Sequence, residues 1–255
     1  MRNIWIILKK ELDSYFVSPV AYLLLTMFGL IFGFFFWNSV SYFVIMGLES
    51  QMRGGGGPMS VNEYVIRPLL SNVSVVGLFF IPMMTMRLFA EEKRTGTIEL
   101  LATSPIRDIE VIIGKWLAAV TLYACMLLFT AINFAFLFRY GNPDWKPLVV
   151  GYLGLLLQAG GLLALGTLIS TMTKNQIIAG AATFGVCLML WVLEWVSGYE
   201  TAAWAKVLAY LSVITHFESF AKGVIDSKDL VFYVSMIFLG LFLTARSMES
   251  LRWRS

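Results

Sequence analysis

The chain has 255 residues, of which 58% are hydrophobic and only 14% charged, against about 45–50% and roughly 25% in soluble domains. The apolar excess lies in long uncharged runs, which excludes an ordinary soluble fold and makes the lipid bilayer the expected surroundings. A formal net charge of +3 with no clustered basic face excludes a nucleic-acid partner.

The first element is an amphipathic segment. At about 100° per residue, Met1, Ile4, Trp5, Leu8, Leu12, Tyr15 and Phe16 share one arc, and Arg2, Lys9, Lys10 and Asp13 lie opposite, with Ile6 the exception. Such a helix suits the membrane interface. The alternative is that it simply begins a long first helix. Ser18-Pro19 is expected to break it. Met1-Arg2-Asn3 opens no secretory signal with a small-residue cleavage site, so the first span is expected to stay in the mature protein.

Six apolar runs follow, placed at about 20–46, 68–86, 116–138, 147–173, 175–193 and 230–245. A spanning helix needs roughly 17–25 apolar residues, so the sixth run is marginal and Arg246 would have to snorkel to complete it. Spans must be helices here, because the runs do not alternate as barrel strands do. The expected fold is all-α: a six-span polytopic membrane protein with an N-terminal interfacial helix. Pro82 should kink the second span. Cys125 and Cys187 fall inside spans, without a disulfide or metal spacing.

Between the spans, Gly54 to Gly57 with Pro58 form an outward-facing loop that cannot hold a fixed shape cheaply. It is no phosphate loop, because no Lys-Ser/Thr follows. The loop from Arg87 to Lys115 carries more. Glu91, Glu92, Lys93 and Arg94 precede Gly96, which permits a sharp turn. Thr97 can cap a short helix with Glu99 in its first turn, and Pro105 ends it. Ser104 can cap the third span with Pro105 at its first position. The short helix would present Ile98, Leu101 and Ala102 as a docking knob. An ordinary charged spacer is the alternative.

In the fourth span, Gln158 is polar near mid-membrane, and Gly160, Gly161 and Gly166 suggest close helix contact. Glu194 ends the fifth span between Trp191 and Trp195, as an interfacial anchor or a pathway group. Gln158 and Glu194 are the pathway candidates. Beyond it, Lys206 to Glu218 encloses 11 uncharged residues (207–217), too few to cross. Short re-entrant helices are expected there, before the last span. His216, the single histidine, stands with Glu218 and Asp226. These three could form an external gate, or His216 could be a satisfied structural residue. A metal or general-base site has weak support, with one histidine and no nucleophile. No catalytic or metal residue is assigned.

Twelve of the 19 lysines and arginines fall on the side of the termini and seven on the other. Both termini are therefore expected in the cytoplasm. No Gly-x-x-x-x-Gly-Lys-Ser/Thr exists, since Ile109 stands where Gly114-Lys115 would need the first glycine.

The loop's acidic and basic residues, then Gly96-Thr97-Ile98-Glu99-Leu100-Leu101, then Pro105 and Gly114-Lys115, resemble the hallmark of type-2 ATP-binding-cassette (ABC) export permeases. Other residues are similar to the gliding-motility (GldF-like) permeases. They are Ser18-Pro19 with Tyr22-Leu23, Ile81-Pro82-Met83 with Thr85-Met86-Arg87, Thr173-Lys174-Asn175-Gln176-Ile177, and His216-Phe217 with Gly223-Val224-Ile225-Asp226 and Asp229. The resemblance covers nearly the whole chain, 1–255, as a single permease domain. It implies that the short helix, with Lys174 and Asn175, couples to a separate ABC ATPase subunit. That subunit would hold ATP and magnesium; this chain would hold no cofactor and not be an enzyme. The resemblance also implies a second permease copy or related permease, a bacterial inner-membrane location, and a neighbouring subunit with a large external domain. The rival functions are a mechanical or assembly component of an envelope complex and an intramembrane enzyme.

Overall fold

A computed structural model describes residues 2–52, 59–97, 106–141, 143–199 and 203–252. Among these, all regular structure is helical. Helix α1 (Arg2–Val17) stops at Ser18, and α2 (Pro19–Met52) begins on the proline. Proline suits a first helical position, where its missing N–H costs nothing. The Ser18 hydroxyl accepts from the Val20 amide at 3.4 Å. The interfacial segment is thus a separate helix. Span one outruns the expected 20–46, because Glu49 marks the edge of the apolar run and not of the helix.

A π-helical turn, Asn62–Ile66, leads into α3 (Arg67–Thr85), with Pro82 inside its last turn. Next come α4 (Ala90–Thr95), α5 (Asp108–Tyr140), α6 (Trp145–Met172) and α7 (Gln176–Tyr199). Two short helices, α8 (Ala203–Tyr210) and α9 (Val213–Ala221), precede α10 (Ser227–Arg252). Among the described residues, six segments are long and apolar enough to cross a membrane: 19–52, 62–95, 108–140, 145–172, 176–195 and 227–250. At about 1.5 Å per residue, α8 and α9 are far too short to cross, as the 11-residue uncharged run suggested.

Two expectations are corrected. The third span does not start at Ser104-Pro105. It starts at Asp108, where Glu110 reaches back to the Arg107 amide at 3.4 Å and two acids favour the helix N-terminus. The sixth span is not limited to the uncharged run 230–245, because Asp229 is buried within it. Arg246 pairs with Glu249 at 2.8 Å and lies over the Phe242 ring.

The helices run alternately, so the bundle has a terminal end, carrying α1, α4 and the end of α10, and a distal end, carrying α8 and α9. Asn62 and Asp144 tie two distal connections with paired 2.9 Å hydrogen bonds. Helix α6 occupies the centre, packed against α3, α5, α7, α9 and α10. Its small residues permit this. A Cβ on Gly161 would meet Met236 at 2.8 Å, and one on Gly154 would meet Phe220 at 2.5 Å. From the facing side, a Cβ on Gly240 would meet Ala164 at 2.8 Å. Without a hydrophobic drive between spans, such close packing is what holds them together.

The packing is testable by substitution. Gly154→Val should destabilise by about 1–3 kcal/mol through overpacking. Gly185→Ala, with nothing within 4 Å of the new Cβ, should stay within about 0.5 kcal/mol of the parent. Thermal unfolding in detergent separates the two; equal midpoints would contradict this account of the core.

Candidate functional site

At the terminal end a lysine is buried inside the bundle. Lys115, about two turns from the start of α5, is 2% exposed. Its Nζ lies 2.7 Å from Glu11 Oε1 on α1 and 2.9 Å from Glu92 Oε1 on α4, and 5.3 Å from the centre of the Phe89 ring. A buried ammonium is tolerated only when paired, and removing one partner of such a pair typically costs about 3–5 kcal/mol. One cation therefore draws three helices together.

Further contacts fasten the same elements. Tyr15 donates its hydroxyl to the Met84 carbonyl at 2.7 Å, and burial raises the phenol pKa further, keeping it a donor. Asn3 donates to Glu110 at 3.0 Å. Gly114 lets α1 approach, since a Cβ there would meet Ile7 at 2.8 Å. Helix α1 thus packs on α5 through Ile4, Ile7 and Glu11, and reaches α3 through Tyr15. Trp5, on the apolar arc expected at the membrane interface, is 67% exposed.

Helix α4 is held from the other side. Ser170 on α6 accepts from the amides of Phe89 and Ala90 at 3.1 Å each, satisfying donors a helix start leaves free. Lys93 donates to the Thr171 carbonyl near the end of α6. Glu91 pairs with Arg87 at 3.2 Å. Gly96 ends α4 with φ +74°, a left-handed turn that glycine enters without strain. Thr97 turns its hydroxyl back to Thr95 at 2.9 Å. Ile98, Glu99, Leu100, Leu101 and Pro105 lie outside the described residues, so the expected short helix does too. Asn175 caps α7, accepting from the Ile177 amide at 2.9 Å, beside exposed Lys174.

The pathway candidates part company. Gln158 is buried and hydrogen-bonded to Ser74 on α3: the Ser74 hydroxyl donates to Oε1 at 2.7 Å and Nε2 donates to the Ser74 carbonyl. Within one chain it joins α3 to α6. Glu194 is half-buried at the distal end of α7, next to the Trp191–Trp195 ring pair at 5.4 Å. A lateral groove of about 580 Å³ between α2 and α5 is lined by Tyr22, Gly29, Gly33, Phe129, Ile132 and Asn133, among others.

The distal trio is not brought together. His216 is buried and contacts Asp229, with Nδ1 2.7 Å from Oδ1. Glu218 pairs with Lys222 at 3.2 Å, and Asp226 with Lys228 at 3.1 Å, both at the surface. The Lys228 amide, then its ammonium, hold the Asp226 carboxyl below its ordinary pKa. Among the described residues, no group of three or more His, Cys, Asp or Glu could hold a metal ion.

Sequence reasoning passed over Glu11, and named Lys115 and Asp229 only as residues of the family resemblance, without a structural role. Two signals pointed at them. Glu11 interrupts the strip Ile4-Ile7-Glu11-Tyr15 at helical spacing. Asp229 is what cut the sixth apolar run short.

The fold and this site define a polytopic helical membrane protein whose terminal helix is latched to the connection between its second and third spans. A family model described as "ABC-2 family transporter protein" matches residues 5–245. The chain belongs to the ABC-2 transporter family. It is similar to the "Probable multidrug ABC transporter permease YbhR" of Escherichia coli K12, 24% identical over 169 residues. The same relative in Escherichia coli O157:H7 matches equally. The match covers 63% of this chain and 43% of the relative, so the chain spans less than half the length of the curated relatives it matches.

The latch predicts a specific rescue. Lys115→Met should leave Glu11 and Glu92 in unrelieved repulsion and lift α1, exposing Lys9-Lys10 to faster tryptic cleavage. Adding Glu11→Gln and Glu92→Gln should slow cleavage back toward the parent rate. Unchanged cleavage in Lys115→Met would show that the pairs do not hold α1.

Proposed function

We propose that this chain is the membrane-spanning permease subunit of an ABC transporter, driven by a separate ABC ATPase chain that holds ATP and magnesium. The observation that carries the reading is the Lys115 cluster. It joins α1, α4 and α5 at the loop where the resemblance to export permeases puts the ATPase contact, so a push on that loop reaches a spanning helix directly. Glu91, Glu92 and Gly96 to Leu101, with Pro105, Lys174 and Asn175, form the coupling surface. The whole chain acts as one permease domain in the bacterial inner membrane, with both termini cytoplasmic, in keeping with the basic bias of the terminal end.

A second permease, the same or related, completes the pathway. Gln158 and Glu194 contribute polar groups to it, with Glu218 and Asp226 near the outer gate. The relative's name, a multidrug permease, together with the apolar groove between α2 and α5, favours an apolar cargo taken from the bilayer. The residues similar to gliding-motility permeases extend the reading to an envelope machine, with a large external-domain subunit, as the driven load.

The coupling surface is tested at Leu101. An apolar anchor in a partner's pocket commonly contributes about 2 kcal/mol or more. Leu101→Asp should therefore reduce recovery of the ATPase in a pull-down and abolish substrate-stimulated turnover. Normal recovery with normal stimulated turnover would overturn the coupling role of this loop. Cysteines introduced near Thr95 should label only from inside the cell; labelling from outside would reverse the orientation.

A further inference from the structure

His216 faces two acceptors and no donor. Its Nδ1 lies 2.7 Å from Asp229 Oδ1, and its Nε2 lies 2.8 Å from the carbonyl oxygen of Tyr210. A neutral imidazole has one N–H and can satisfy only one of them. Two contacts of this length need two protons among the ring and the carboxyl.

The surroundings favour both protons on the ring. Tyr210 is the last residue of α8, so its carbonyl lies at the negative end of that helix. Asp229 lies in the first turn of α10, at the positive end of that one. The two helix dipoles thus favour a cation at His216 and an anion at Asp229. The imidazole also stacks on Phe232 with centroids 3.9 Å apart, and the Tyr210 ring meets it edge-on at 4.8 Å. An aromatic face attracts a cation.

We infer that His216 and Asp229 form a buried proton-binding site, an imidazolium–carboxylate pair, that latches the Tyr210 end of α8 and helix α9 onto the start of α10. The site stands apart from ATPase coupling and does not depend on it. It is built into its surroundings: Tyr233 donates to the Val213 carbonyl at 2.7 Å, and Gly223, with φ +80°, closes α9 against Pro147.

Among the described residues, Lys228 is a neighbouring cation that acts on Asp229 as well as on Asp226. From α10, Tyr233 and Asp229 face the ring, while Lys228 pairs with Asp226. On α9, Glu218 pairs with Lys222. From α7, Glu194 acts on Glu218, and Cys187 lies buried further along. Helix α6 meets α9 through Gly154, against Phe217 and Phe220. The other titratable residues of α6 are Lys146 and Tyr152, which bonds Thr130, and α3 carries only Arg67 at its first residue. The latched pair holds one more proton than a released, neutral ring beside an ionised carboxylate. The latch is therefore favoured as pH falls and is lost as pH rises.

His216 is the single histidine, so one ¹⁵N-histidine label in the full chain, reconstituted in lipid nanodiscs, reports it without assignment. At neutral pH both ring nitrogens should be protonated. As pH is raised, the second N–H should disappear. Hydrogen exchange of the amides from 210 to 216, corrected for intrinsic base catalysis, should rise in the same pH interval. Asp229→Asn should give a single-N–H ring already at neutral pH. One bare ring nitrogen in the parent protein at neutral pH would overturn the proton assignment, and exchange unchanged across the titration would overturn the latch. Both parent measurements decide the matter even if the variant fails to fold.

Discussion

A lysine ammonium inside a helical bundle is tolerated only with anions beside it, because burial removes water that nothing apolar can replace. Lys115 meets that requirement with carboxylates from two other elements, Glu11 on α1 and Glu92 on α4. The constraint shapes everything near it. Helix α1 must lie close enough to reach the ammonium, so position 114 must be glycine-sized. Helix α4 must start where Glu92 points inward, so its first amides are met by Ser170 from α6. The connection between spans two and three is thereby fixed to the amphipathic N-terminus and to a spanning helix at once.

From that corner, force has a short route through the molecule. Helix α5 touches α6, and α6 is the helix that the others surround. Its glycines set α3, α9 and α10 against it without side-chain cushions, so a displacement of α6 cannot be absorbed locally. At the distal end the same helix carries α9, whose His216 grips the start of α10. The terminal cluster and the distal pair are thus built at opposite ends of one tightly packed unit. That arrangement suits a chain whose spans tilt together, as the permease reading requires.

Much of the fold was legible in the sequence because lipid imposes a single rule on each span: enough apolar residues, all backbone groups bonded internally. The break at Ser18-Pro19 and the turn at Gly96 followed from residues whose backbone preferences are local. The packing of α1 did not follow, because periodicity shows an apolar face and not what covers it. Glu11 drew no notice in the sequence and is central to the cluster, since its partner Lys115 lies 104 positions away. The partner of His216 was misjudged for a similar reason. Glu218 and Asp226 are near in sequence, but one turn of α9 points Glu218 outward to Lys222. Asp229 reaches the ring from the next helix.

The central claim is that α1, α4 and α5 move as one body because Lys115 binds them. Spin-label distances test it most directly, in a chain with Cys125 and Cys187 replaced and labels placed pairwise at 10, 94 and 250. They would be recorded in the assembled complex without nucleotide and with a trapped transition-state analogue of ATP hydrolysis. The account predicts a constant distance between 10 and 94, while both shift against 250 on α10. A change between 10 and 94 with no shift against 250 would contradict it.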